Sequence, residues 1–401
     1  PFAEWPWIPP FRRGGMDQAT RSARRAHHGR RVLHDGKRTC FSSYTCRAPA
    51  TCSWCHAMLS LLLHAASGCS DWIMDDAYGL SVRTMDLGVG PRFELKTVPK
   101  GSLPLKHHLA PALHGHIISV ETGAFSAGIQ KATGLPDGIA LAGLNVQGLS
   151  CDLHALLNSS YPRPSSTSKD LSLYAFCNWA LANFGSAAEV RAALEAEQVH
   201  LWGPASLEAG GVHFIVRDAS GLGLAVEFME EAVRLYDDAN DGASGVGVFT
   251  NEPPFPWQVA NVKHFLWKQS LARPATTVPG AFYPDERFLR IFLLKSAMPT
   301  PRSYQEAVQH ALHVLNSITV PMGEQMGTDS GFGEGKADHT HYGHVYDHRN
   351  ATLYWRHQTN LQLQRVRLAD VLRLPKPVSL SLYNDLPFFH DAAGAFSGAV
   401  G

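Results

Sequence analysis

The chain has 401 residues, 35 Lys/Arg against 35 Asp/Glu, 45% hydrophobic and 17% charged, enough for one large domain or two small ones with a buried core. The zero net charge is unevenly spread: residues 1–68 hold ten Lys/Arg and three Asp/Glu, leaving 25 basic against 32 acidic residues in 69–401. That acidic body argues against nucleic acid or an anionic membrane as its partner.

Residues 1–68 are rich in Arg, Ser and His and lack an apolar period, so they are expected to be a disordered leader: a targeting segment, propeptide or gene-model artefact. Arg21-Ser-Ala-Arg-Arg25 and Arg30-Arg31 fit an acidic-poor transit peptide. Ala57–Leu63 fits a signal h-region and is too short to span a bilayer. Cys52-Ser-Trp-Cys55-His56 matches a haem-attachment pattern, but no axial methionine motif supports it, and no cofactor is expected.

From Cys69 the pattern changes. Leu80–Met85, Phe93–Val98 and His116–Val120 alternate as strands. Leu171–Phe184 has helical spacing, and Ser186 is a candidate N-cap for a helix over Ala187–Glu197. Strands are expected at Val212–Asp218, Gly223–Met229, Ala232–Tyr236 and Gly245–Thr250, and helices at Arg287–Lys295 and Ser303–Ser317. His341–Asp347 and Thr352–Trp355 suggest a closing hairpin around His348-Arg-Asn350, before a flexible tail over 386–401. Strands, a helical pair, strands, helices and a hairpin imply segregated layers: an α+β fold with mostly antiparallel sheets.

Cys69-Ser-Asp-Trp72 followed by Ser81-Val-Arg83-Thr-Met-Asp86 offers a thiol with an arginine and a carboxylate returning on the next strand. A cysteine at a chain's own N-terminus can use its α-amine, reference pKa near 8, as base for a thiol near 8.5. A guanidinium favours the thiolate, a carboxylate can orient the amine, and amide donors can stabilise the oxyanion.

These residues resemble the opening of the choloylglycine hydrolase family, which includes bile salt hydrolases and penicillin V acylases. Ala142-Gly-Leu-Asn145, Phe249-Thr-Asn251-Glu-Pro-Pro-Phe-Pro-Trp257, Asp285-Glu-Arg287-Phe-Leu-Arg290 and the hairpin His344–Arg356 extend the likeness in order to about Val371. The resemblance implies a four-layer αββα sandwich of the N-terminal-nucleophile hydrolase type, with a catalytic domain over 69–385. It implies a small-molecule N-acyl amide substrate, no membrane insertion, and a homo-oligomer. Its site carries over to Cys69 as nucleophile, Arg83 and Arg287 as charge stabilisers, Asp86 as amine orienter, and Asn145 and Asn251 as oxyanion donors. Asn145 leans toward the bile-salt side of the family.

Four features depart from the family pattern, the first a Cys69–Arg83 hairpin about two residues shorter than usual. The family hairpin Asp-Gly-Met-Asn-Glu-x-Gly is cut short after Asp137-Gly-Ile139, by about five residues. The stretch between Trp267 and Glu286 is short, and the leader denies Cys69 a free amine until it is removed. The alternatives are an inactive paralogue with the same fold, or the penicillin V acylase or N-acyl amide/lactone acylase branch. His339, His341, His344 and His348 fit neither a zincin helix nor a zinc finger, so no metal is expected. Asn158-Ser-Ser and Asn350-Ala-Thr are glycosylation sequons compatible with a secreted or organellar protein. Only Cys69, Cys151 and Cys177 follow the leader, so no disulfide scaffold is expected.

Overall fold

Alternating side chains after Cys69 build two stacked antiparallel sheets, seen in a computed structural model of the chain. It describes residues 68–389 apart from 75–76, 89–91, 106–107, 158, 205–210, 238–245, 272–277, 323–338, 375 and 385. All of them belong to the unit 52–401. The leader, with its cysteine motif, and Asn158 lie outside the described residues, as does most of the expected tail.

The first elements are β1 (Ser70–Ile73), β2 (Leu80–Leu87), β3 (Phe93–Val98), β4 (His116–Glu121), α1 (Ala124–Thr133), β5 (Ala142–Asn145) and β6 (Ser150–Ala155). Then come β7 (Asp170–Ser172), α2 (Phe176–Asn183), α3 (Ala187–Glu195), β8 (His200–Trp202), β9 (Val212–Arg217), β10 (Gly223–Met229), β11 (Ala232–Asp237) and β12 (Val248–Phe249). The rest are α4 (Phe255–Leu271), α5 (Pro284–Ala297), α6 (Tyr304–Ile318), β13 (His339–Asp347), β14 (Thr352–His357), β15 (Asn360–Arg367), α7 (Leu368–Val371) and β16 (Ser379–Ser381).

One sheet runs β12-β1-β2-β13-β14-β15 and the other β11-β10-β9-β6-β5-β4-β3-β16. Helices α5 and α6 cover the first sheet, α2 and α3 the second, giving helix–sheet–sheet–helix layers. Ile215 and Ala225 of the second sheet pack with Trp72, Val82 and the apolar faces of α4 to α6. Two helix starts follow directly from sequence: Ser186 and Ser303 each accept the main-chain N–H three residues on, at 3.2 Å.

Several expectations change. Leu171–Phe184 is not one helix: Asp170–Ser172 pairs as a strand with β8, Leu173–Ala175 makes a 3₁₀ turn, and the α-helix starts at Phe176. The expected strand at Gly245–Thr250 is only Val248–Phe249. The closing hairpin continues into β15, so it is not the last pairing of its sheet. A disulfide joins Cys151 of β6 to Cys177 of α2, pinning a helix to the second sheet.

Candidate active site

The register of the first hairpin decides where the thiol sits. Ser70 pairs with Thr84 and Asp71 with Arg83. Side chains alternate along a strand, so Arg83 and Met85 share the face of Cys69, while Thr84 and Asp86 point to the helices behind. Cys69 is buried and is the free cysteine among the described residues. Its Sγ lies 3.8 Å from Arg83 Nη2 and 3.7 Å from Met85 Sδ.

Arg83 is held on three sides. Nη1 donates to Tyr342 Oη at 2.9 Å and Nη2 to the Leu153 carbonyl at 3.0 Å. Nε faces Asp152 Oδ1 at 3.2 Å, as a charge pair rather than an aligned hydrogen bond. Burial works against the guanidinium charge, but Tyr342, Cys69 and Asp152 outweigh it and push the Arg83 pKa up. Asp152 also accepts from Tyr346 Oη at 2.8 Å; burial pushes its carboxyl up to about 8 against the pull of Arg83.

Behind β1, Arg287 of α5 gathers the second half of the site. Nη1 donates to Ser70 Oγ and lies 3.4 Å from Asp86 Oδ2. Nη2 donates to Asn251 Oδ1 at 3.1 Å and Nε to the Phe282 carbonyl at 2.9 Å. Asp86 takes further hydrogen bonds from Thr340 at 2.6 Å and Thr84 at 3.1 Å. Burial raises the Asp86 carboxyl, opposed by Arg287 and these hydroxyls. Burial raises the Cys69 thiol; Arg83 counters it, while the Asp86 charge adds to the rise. Both Arg287 and Arg290, one turn apart on α5, are buried.

Asn251 Nδ2 donates to the Ala155 carbonyl at 2.8 Å. A Cβ built on Gly68 would lie 2.1–2.3 Å from the Asn251 carboxamide. The backbone just before Cys69 therefore lies hard against the Asn251 side chain.

Asn145 is not brought to the thiol. Its Oδ1 accepts from Gln147 N at 2.9 Å and Leu149 N at 3.0 Å, and its Nδ2 donates to the Leu181 and Phe184 carbonyls at 3.0 and 2.7 Å. It organises the β5–β6 turn, about five strand residues, or roughly 16 Å, from His154. Ala142-Gly-Leu-Asn145-Val-Gln-Gly148 is itself the hairpin turn, with Gly148 at φ +85° supplying the left-handed position. The strand that reaches the thiol is the next one, β6, through Leu153 to Ala155.

His154 on that strand was not singled out from sequence. It is fully buried against the Cys69 backbone, and burial, helped by the charge of Arg83, holds its pKa well below the usual range. It packs beside His213, whose Nδ1 lies 3.1 Å from Glu227 Oε1, and both rings rest on Phe249. A lone histidine in an alternating strand carries no signal that separates it from a surface position. The C-terminal histidines bind protein groups: His341 Nε2 faces the Leu87 carbonyl at 3.1 Å, and His348 bridges Ser81 and Gly148 at 2.7 Å each. Among the described residues no group of three or more His, Cys, Asp or Glu is placed to hold a metal.

A buried cysteine opening the first strand, with arginines on two sides and two antiparallel sheets between helices, defines an N-terminal-nucleophile hydrolase fold. The family model for linear amide C–N hydrolases of the choloylglycine hydrolase family matches residues 69–378, and the chain belongs to that family. It is 29% identical over 201 residues to the bile salt hydrolase/transferase of Clostridium perfringens, covering 45% of this chain. That alignment spans 59% of the relative's length. It is 24% identical over 254 residues to the conjugated bile acid hydrolase of Lactobacillus acidophilus, covering 58% of this chain and 74% of that one. Two solved structures share the fold. A mutant conjugated bile acid hydrolase from Clostridium perfringens aligns with TM-score 0.61 at 20% identity, over 79% of this chain and 97% of that one. Penicillin V acylase from Agrobacterium tumefaciens aligns with TM-score 0.59 at 20% identity, over 75% and 86%.

Proposed function

We propose that the chain, once Cys69 carries a free α-amine, hydrolyses a linear amide bond of a small N-acyl substrate. The observation that carries this reading is the convergence of Arg83 and the Arg287–Asp86 pair on the start of β1, from two separate elements. The α-amine takes the thiol proton, and the thiolate attacks the acyl carbon. Asn251 Nδ2, released from the Ala155 carbonyl, donates to the oxyanion. The tetrahedral intermediate collapses to a Cys69 thioester as the amine leaves with the proton. Water, deprotonated by the same amine, then hydrolyses the thioester and regenerates the thiol. Arg83 stabilises the thiolate, and Asp86 with Arg287 fixes the backbone that bears the amine.

Asn145 takes no part, which removes the single residue that leaned toward bile salts. The relatives' substrates, bile salts and penicillin V, define the panel to test. The test is amine release from glycine and taurine conjugates, penicillin V and long-chain N-acyl amides by a chain beginning Met-Cys69 with the methionine removed in the host. Turnover lost in Cys69→Ala supports the reading. No turnover from folded protein with a confirmed Cys69 N-terminus favours an inactive paralogue.

A further inference from the structure

Asp152 lies fully buried between the two sheets, on the strand that carries Leu153 and Ala155 to the site. No reaction step uses it, yet it shares an arginine with the nucleophile. Arg83 Nη2 is 3.8 Å from Cys69 Sγ, and Nε of the same guanidinium is 3.2 Å from Asp152 Oδ1. The contacts of that guanidinium to the Leu153 carbonyl and the Tyr342 hydroxyl are to neutral groups. Other buried acids nearby have partners of their own. Arg217 Nε donates to Asp71, Arg287 stands 3.4 Å from Asp86, and His213 faces Glu227 at 3.1 Å. Two acids therefore converge on the single charge of Arg83, in an interior where an unmatched anion is strongly disfavoured. Around Asp152, Asp71 adds a repulsive charge, Arg217 a weaker attractive one, and Tyr346 donates to Oδ1 at 2.8 Å. Around Cys69, the Asp86 charge repels and Arg287 attracts. The neighbouring rings of His154 and His344 are neutral near pH 7, because burial and the charge of Arg83 depress both.

We infer that Asp152 is a positioning residue for the nucleophile: it competes with Cys69 for the charge of Arg83, so the thiolate forms most readily while Asp152 holds a proton. Two acids that share one site lose their protons in steps that belong to the pair, and the second ionisation is opposed by the first. Burial places the Asp152 carboxyl at about 8. Near neutral pH it therefore keeps its proton and leaves Arg83 to the thiolate. As pH rises through that value its own ionisation sets a negative charge on the far side of the guanidinium and opposes the thiolate. Asp152 acts through Arg83 alone, and no proton passes between it and the thiol.

The inference rests on the amidase reading for the task of the thiol, but its test needs no substrate, so either can fail without the other. The full chain is used, in which the peptide bond from Gly68 to Cys69 removes the α-amine from the titration. Thiolate is followed by its ultraviolet absorbance against pH, each protein measured against its own Cys69→Ala counterpart, which cancels the other cysteines and the tyrosines. In the parent the signal should rise over a broader span than a single ionisation. Asp152→Asn keeps an oxygen for Tyr346 but cannot ionise. Its midpoint should move down by about one pH unit and its rise should steepen to that of one group. A merely structural role would loosen Arg83 and move the midpoint up instead. Tyr346→Phe, which takes a hydrogen bond from the Asp152 carboxylate, should move the midpoint down by about half a unit. A midpoint unchanged or raised in folded Asp152→Asn overturns the proposal, and Tyr346→Phe decides it by the same criterion if Asp152→Asn does not fold.

Discussion

Replacing Arg83 with Met in a chain that starts at Cys69 removes the cation nearest the thiol while keeping a stem of similar length. At 3.8 Å between Nη2 and Sγ, an effective dielectric near 20 gives a gross interaction of about 4 kcal/mol. Arg287 still acts from behind the strand. Asp152, whose carboxyl burial raises to about 8 even beside Arg83, rises further without its partner and adds little negative charge at neutral pH. A residual of about 2 kcal/mol remains, or roughly thirtyfold in thiolate population at fixed pH. The assay is the rate of iodoacetamide alkylation against pH, with Cys151 and Cys177 protected in their disulfide. The midpoint should move to higher pH and the rate at neutral pH should fall by about that factor. Arg83→Lys, which keeps charge but loses the forked contacts to Tyr342 and Leu153, should fall between. An unshifted midpoint in folded Arg83→Met would refute the claim that Arg83 stabilises the thiolate.

Three further outcomes follow from the same site and its surroundings. Asn251→Ala should lower kcat by about 10²–10³ with little change in KM, as loss of one oxyanion donor does; an unchanged kcat would remove Asn251 from the chemistry. His116, His341 and His348 are held at about 4 by burial. Their folded pKa is below the unfolded value near 6.5, so the stability they permit is present above 6.5 and lost as pH falls toward 4. His348→Gln should therefore flatten the stability-against-pH slope in that window, read by urea unfolding, and an identical slope would contradict the assignment. Replacing Cys151 and Cys177 by Ala opens a loop of 26 residues and should cost about 3.5 kcal/mol in urea unfolding; a cost near zero would count against the cross-link.

Much of this was legible in the sequence because local chemistry fixed it. Ser186 caps its helix as its hydroxyl predicts. The alternation of Leu80–Leu87 put Arg83 and Asp86 on opposite faces of one strand. What could not be read required tertiary pairing. Pro253, Pro254 and Pro256 disguised the start of α4, yet prolines are tolerated in a helix's first turn. Asp170–Ser172 left the helical pattern because β8 offered it a parallel partner. Asn145 looked catalytic because Ala-Gly-Leu-Asn occurs in the family, whereas its hydrogen bonds place it in the preceding turn. Burial of Arg287 depended on Ser70, Asp86 and Asn251, all distant in sequence.

The central claim is that Cys69 carries the acyl group, and a single measurement addresses it. Protein beginning at Cys69 is mixed with the best amide of the panel, quenched in acid within the first turnovers, and its N-terminal peptide weighed by mass spectrometry. The account predicts a peptide heavier by the acyl group on Cys69, reversed by hydroxylamine and missing from Cys69→Ala. Substrate turnover with an unmodified Cys69 peptide, or turnover that survives Cys69→Ala, would contradict it.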